Sequence, residues 1–180
     1  MSMLSLLMWL ACMPDDVQDS GAVFEADADT DTDTDTDTDT DTDTDADADQ
    51  DITGMWESQG ADLSPLLAEA GFTRIVADFS ADGSYEVVAY YGAGSVTLGG
   101  SYTVDTSTAP GGIALQQSTP SVATAQGIWQ VEGDGALHYE VTQTDPNPDG
   151  YTAPTPEGGF GSTGGPGLAA GDNLQIYRRP

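Results

Sequence analysis

The stretch GIWQVEGDGALHYEVTQT, Gly127 to Thr144, decides how this chain folds. Two runs flank Gly133-Asp134-Gly135. In the second run Leu137, Tyr139 and Val141 alternate with His138, Glu140 and Thr142. A period of two belongs to a strand whose side chains point alternately to two faces. A Gly-Asp-Gly turn supplies backbone conformations that other residues resist, so the chain can reverse there. The stretch therefore predicts an antiparallel hairpin. Leu137, Tyr139 and Val141 should face a core, and His138, Glu140 and Thr142 should face water. Trp129 lies among Ile128, Gln130 and Val131, which leaves its phase open.

The same pattern repeats on both sides of this hairpin. SVTLGGSYTVD, residues 95–105, places Val96, Leu98, Tyr102 and Val104 on one face, and GIALQQ keeps Ile113 and Leu115 in phase. Upstream lie SYEVVAYY, FTRIVADFS and ITGMWES, with Ala81-Asp82-Gly83 as a hairpin turn. NLQIYRR ends the chain. A short helix is expected in DLSPLLAEAG, with Asp62 as its cap, Pro65 in its first turn and Gly71 at its end. Eight consecutive strands without βαβ spacing predict an all-β domain over residues 52–180. The expected form is a small eight-stranded antiparallel up-and-down barrel with one short helix, since closure removes exposed strand edges. The Pro- and Gly-rich segment Asp145–Gly171 reads as a long loop, and such loops are usually functional or disordered.

Residues 12–51 read differently. Seventeen of the 31 acidic residues precede Ile52, thirteen of them Asp at every odd position from Asp27 to Asp51. The three arginines, Arg74, Arg178 and Arg179, and fourteen acids fall after it, so residues 52–180 carry a net charge of 3 − 14 = −11. The tract has too few apolar groups to offset the entropy of ordering, so a disordered acidic linker is expected. Alternate Asp lie about 7 Å apart in an extended chain, inside the ~8 Å screening length of physiological salt. They repel and stretch the linker. Alternate carboxylates point to opposite sides and do not converge as a calcium site requires. The acidic charge also argues against nucleic-acid partners.

The chain opens MSMLSLLMWLACMPDD. Met3 to Ala11 is an apolar run too short to span a bilayer, followed by the lone cysteine, Cys12. This resembles a bacterial lipoprotein signal. The resemblance implies that residues 1–11 are a signal peptide and that Cys12 is lipidated. It also implies a location on a membrane of the cell envelope, facing the periplasm or the exterior. The domain after the tract resembles a lipocalin-like (calycin) barrel through Gly54-x-Trp56 in the first strand, eight strands in order and an arginine in the last. The resemblance implies that Trp56 closes one barrel end under that arginine. Arg178 shares a strand face with Leu174 and Ile176 and is the expected partner.

Catalytic chemistry finds little material. Residues 52–180 contain no Cys and no Lys, which excludes thiol and Schiff-base routes. The single histidine, His138, is expected on the exposed face and idle. DPNPDG offers Asp145, Asn147 and Asp149 at calcium-loop spacing, but Pro148 and Pro156 fit that loop badly, and an ordinary turn is expected. No cofactor is expected. The reading is a monomeric, non-enzymatic lipoprotein anchored to a membrane through its lipid. Its barrel binds a small apolar ligand on Val96, Leu98, Tyr102, Leu137, Tyr139 and Val141. The competing reading is a structural or interaction lipoprotein with a filled barrel.

Overall fold

The computed structural model describes residues 50–180. The expected signal peptide, Cys12 and the acidic tract up to Asp49 lie outside the described residues. Eight antiparallel strands form one sheet in sequence order, β1 (Gly54–Gln59), β2 (Phe72–Phe79), β3 (Ser84–Tyr91), β4 (Gly94–Asp105), β5 (Gly111–Thr119), β6 (Ala123–Val131), β7 (Leu137–Asp145) and β8 (Gln175–Tyr177). Glu57 and Arg178 exchange backbone hydrogen bonds of 2.8 Å in both directions, which joins β8 to β1 and nearly closes the barrel. The all-β up-and-down barrel predicted from alternation is the observed fold.

The turns follow their residues. At Gly133-Asp134-Gly135 the Asp134 carboxylate accepts from Ala136 N at 3.0 Å, and Gly135 takes φ +79°. Helix α1 (Pro65–Glu69) lies between β1 and β2, after a single 3₁₀ turn at Gly60–Asp62. Its cap is Ser64, whose Oγ accepts from Leu67 N at 3.3 Å. Asp62, the expected cap, instead pairs with Arg178 at 3.1 Å. Gly71 follows the helix at φ +91°, where a glycine is needed to reverse the chain. The acidic tract ends inside the domain: Gln50 Nε2 donates to Val131 O at 3.0 Å, and Asp51 accepts from both the amide and hydroxyl of Thr53.

Inside the barrel, Trp56, Phe79, Trp129 and Leu137 are almost wholly buried. Trp129 is opposite Tyr139 and faces inward. Ile128 faces outward yet has 0% exposure, and so does Glu140 opposite it. This corrects the expectation that Glu140 and Thr142 face water, because the segment between β7 and β8 folds back over the outer face of β6 and β7. Glu140 holds it there. Its carboxyl oxygens accept from the amides of Gly161 and Thr163 and from the Thr163 hydroxyl. Asn173 Nδ2 adds a bond of 3.0 Å to Val141 O. Phe160 lies edge-on to His138 at 5.6 Å, so His138 is half-buried rather than exposed.

One close approach fixes the sheet locally. A Cβ on Gly127 would lie 2.0 Å from Glu140 O, so β6 and β7 can approach here only with glycine at this position.

Glu140→Gln replaces an acceptor with an amide whose NH₂ confronts the loop donors. A buried donor left unpaired costs about 1–3 kcal/mol, so a loss of about 2–3 kcal/mol in urea unfolding is expected. Limited proteolysis should then cut first within residues 146–174. Unchanged stability together with an equally resistant loop would show that Glu140 is not the fastening.

Candidate functional site

Odd-numbered strands run toward one end of the barrel, here the upper end. The lower end holds Gly54, Phe79, Asp105 and Leu137.

The lower end is shut. The Arg179 guanidinium lies 3.7 Å from the Trp56 ring centroid. Gly54 makes room for it, since a Cβ there would lie 2.6 Å from Arg179 Nη1. This corrects the expectation that Arg178 covers Trp56. On β8 the buried residues are Gln175 and Tyr177, which pair with Tyr139 and Leu137. Alternation therefore carries Arg179 inward and Arg178 outward, where it reaches Asp62 at 3.1 Å and Asp134 at 3.6 Å. The Trp56 indole donates to Ile52 O at 2.7 Å, and Tyr102 OH donates to Ser80 O at 3.0 Å. Phe79 lies in the middle of this end, with ring centroids 5.1 Å from Tyr102 and 6.1 Å from Tyr139 on the opposite wall.

The upper end is looser. Helix α1 touches β2, and two bonds tie it to the end of the chain: Leu66 N donates to Asp172 O before β8 at 2.9 Å, and its cap Ser64 N to Gln175 Oε1 in β8 at 2.8 Å. Val87, Val96, Leu98, Ala125 and Val141 are in inward phase but only partly buried. A small pocket of about 70 Å³ lies where helix α1, β7 and the outer loop meet, lined by Leu66, Val141, Thr142, Pro148, Tyr151 and Asn173.

The six candidate cavity residues thus share the inner wall at different heights. Val96, Leu98 and Val141 lie toward the upper end, Tyr139 lies in the middle, and Tyr102 and Leu137 belong to the lower closure. The Asp145, Asn147 and Asp149 trio does not assemble as a metal site. Both ends of the Asn147 amide are bound to Tyr151, donating to its carbonyl at 2.8 Å and accepting from its amide at 3.0 Å. No cluster of three His, Cys, Asp or Glu fit for a metal occurs among the described residues. His138 Nδ1 stands 3.5 Å from Glu132, at the outer surface.

What alternation missed is a set of polar groups on the inner wall. Ser58 and Gln175 are 0% and 3% exposed, and Ser58 Oγ and Gln175 Nε2 have no hydrogen-bond partner. Four inward tyrosines are also perturbed, Tyr102 being raised mainly by burial. Burial pushes Tyr85 up to about 12 and Tyr177 higher still. Tyr139 is raised well above the ordinary value by burial, and by the neighbouring phenols of Tyr177 and Tyr85.

No family model, curated protein or solved structure matches the chain.

Two expectations follow. Arg179→Ala should lower the denaturant midpoint, because an exposed cation–π contact is worth about 0.5–1 kcal/mol and the side chain also covers Trp56. Arg178→Ala, which removes exposed ion pairs worth about 0–1 kcal/mol, should have a smaller effect; the reverse order would restore Arg178 as the closing residue. In absorbance titration, Tyr85, Tyr139 and Tyr177 should ionise after the other tyrosines. A phenol with a raised folded pKa gives stability that is complete below its unfolded pKa of about 10. For Tyr85 that stability is lost as pH rises through about 12. A single titration step for all seven tyrosines in the folded protein would contradict a shielded interior.

Proposed function

We propose that this chain is a lipid-anchored, non-enzymatic binding lipoprotein of a bacterial cell envelope. In this reading Cys12 carries the acyl chains and holds the protein to its membrane. Residues 13–49 are a self-repelling spacer, and the lipocalin-like barrel takes up a small, mainly apolar ligand as a monomer. The spacer's charge density supports its role as a stretched tether. The observation that carries the binding reading is the uneven filling of the barrel. Aromatic rings fill the lower end, while five apolar side chains in inward phase stay partly accessible toward the upper end. An eight-stranded barrel has an interior wide enough either to fill or to hold one small ligand. None of the helices among the described residues is long and apolar enough to cross a membrane.

A second reading is favoured by the ring cluster around Phe79 and by the fastened outer loop. In it the protein is an envelope interaction lipoprotein that presents residues 146–174, with no ligand in the barrel. Native mass spectrometry of the full chain purified from its own membrane separates the two. Acyl mass on Cys12 with a co-purified small molecule is expected. Acyl mass without any ligand would favour the second reading, and an unmodified Cys12 in a soluble fraction would sink the anchor. Cys12→Ser should move the protein out of the membrane fraction.

A further inference from the structure

The inner wall of β1, β8 and β7 holds one patch of unsatisfied polar groups. Ser58 lies inward on β1, and the Glu57–Arg178 bridge places it opposite Tyr177 on β8. Gln175, the next inward residue on β8, lies opposite Tyr139 on β7. The rings of Tyr139 and Tyr177 meet edge-on at 5.8 Å. From the opposite wall, Phe79 brings Tyr85 against them, with centroids 6.4 Å from Tyr85 and 6.1 Å from Tyr139.

Each of these groups is short of a partner. Gln175 Oε1 is taken by Ser64 N, which leaves Nε2 as a buried donor with nothing to meet. Ser58 Oγ is likewise unpaired. Of the inward tyrosines Tyr102 alone hydrogen-bonds among the described residues, to Ser80. Burial raises the phenols of Tyr85, Tyr139 and Tyr177, and Tyr139 is raised further by the phenols of Tyr177 and Tyr85. Tyr139 packs against Phe79 and Tyr177 and is only partly buried. An unpaired buried polar group costs about 1–3 kcal/mol, and buried polar groups in folded proteins are normally paired. Two buried unpaired groups on adjacent strands, with the unbonded phenols of Tyr139 and Tyr177 beside them, are what a bound polar head would satisfy.

We propose that this patch is the polar end of the ligand site. It selects a small neutral molecule with an apolar body and one hydroxyl or carbonyl head, which accepts from Gln175 Nε2 and makes at most two further bonds, shared among Ser58 Oγ and the Tyr139 and Tyr177 hydroxyls. The proposal rests on the binding reading above and sharpens its ligand class. Charge decides for a neutral head. The inward-facing residues carry no charge except Arg179, which is engaged over Trp56 at the lower end. A lone ion would enter a low-dielectric lumen without a counter-charge. Fourteen acids against three arginines over residues 52–180 also repel an anion from the mouth.

Four probes of one chain length test the class: hexanol, hexane, hexanoate and hexylammonium, each titrated into the full chain by NMR. Hexanol should bind, with shifts at Gln175, Tyr139 and Tyr177, and at least about tenfold more tightly than the other three. Tyr177→Phe and Tyr139→Phe keep the rings and remove only unpaired hydroxyls, so they should fold with unchanged or raised thermal midpoints. Each should weaken hexanol about fivefold to tenfold. Ser58→Ala gives a third variant should either phenylalanine disturb the packing.

Hexane binding as well as hexanol, with no effect of the Phe variants, would overturn the polar-head proposal and leave apolar binding standing. Tighter binding of hexanoate or hexylammonium would overturn neutrality. Binding of none of the probes, with more stable Phe variants, would mean that the patch holds only water. Both the proposal and the ligand-binding reading would then fall.

Discussion

Closure of the sheet by a three-residue strand is the constraint on which the remaining structure depends. A sheet of eight strands left open would present two unpaired edges. Here β8 spans only Gln175–Tyr177, and the join to β1 rests on one bridge of two 2.8 Å bonds between Glu57 and Arg178. Two backbone hydrogen bonds contribute little net stability, on the order of 1 kcal/mol each. What holds the seam is the side chains around it. Tyr177 is buried inside, Arg179 covers Trp56, and Arg178 reaches Asp62 and Asp134 outside. Three consecutive residues, the last of β8 and the two that follow it, thus act on the inner face, the outer face and the lower end.

The second constraint is the fastened loop. A chain that must return from β7 to the seam needs a connection, and residues 146–174 supply it along the outer surface rather than in solvent. Their path covers Ile128 and Thr142, and it is held by a buried carboxyl that faces only N–H and O–H donors. The loop leads directly into β8, so the Glu140 fastening also limits how far the seam strand can drift.

Strand number, order and the hairpin turns were legible in the sequence because alternation and Gly-Asp signals are local. The inner phase of β4 and β7 was legible for the same reason. The site was less so. Burial on both faces defeats the rule that apolar means inside. Ile128 is apolar yet points outward under the loop, Ile176 is apolar yet points outward opposite His138, and reading Leu174 and Ile176 as inward put Arg178 over Trp56 in place of Arg179. Glu140 and Thr142 are polar yet buried, because a cover that comes from a distant segment leaves no mark on the strand it covers. Ser58, Gln175 and Tyr177 were missed as a group because β1 and β8 meet only on closure, across more than a hundred residues. Their one local signal was polar identity at inward positions, a serine two residues after Trp56 and a glutamine two before Tyr177.

These polar residues lie at the seam itself, and this links the two halves of the structure. Gln175 is both a strand residue of the join and the acceptor that ties helix α1 to it through Ser64. Its unpaired Nε2 and the unpaired Ser58 Oγ are buried only while the barrel is closed, so their desolvation weakens the closed form relative to an opened one. A molecule that pairs with them removes that penalty in the closed form alone. By mass action it would stabilise closure as well as occupy the lumen. At the lower end the Tyr102 hydroxyl is paired with Ser80 and Arg179 lies over Trp56, so these closing contacts carry no such penalty. The penalty falls on the seam, where Ser58 Oγ and Gln175 Nε2 are buried by closure itself.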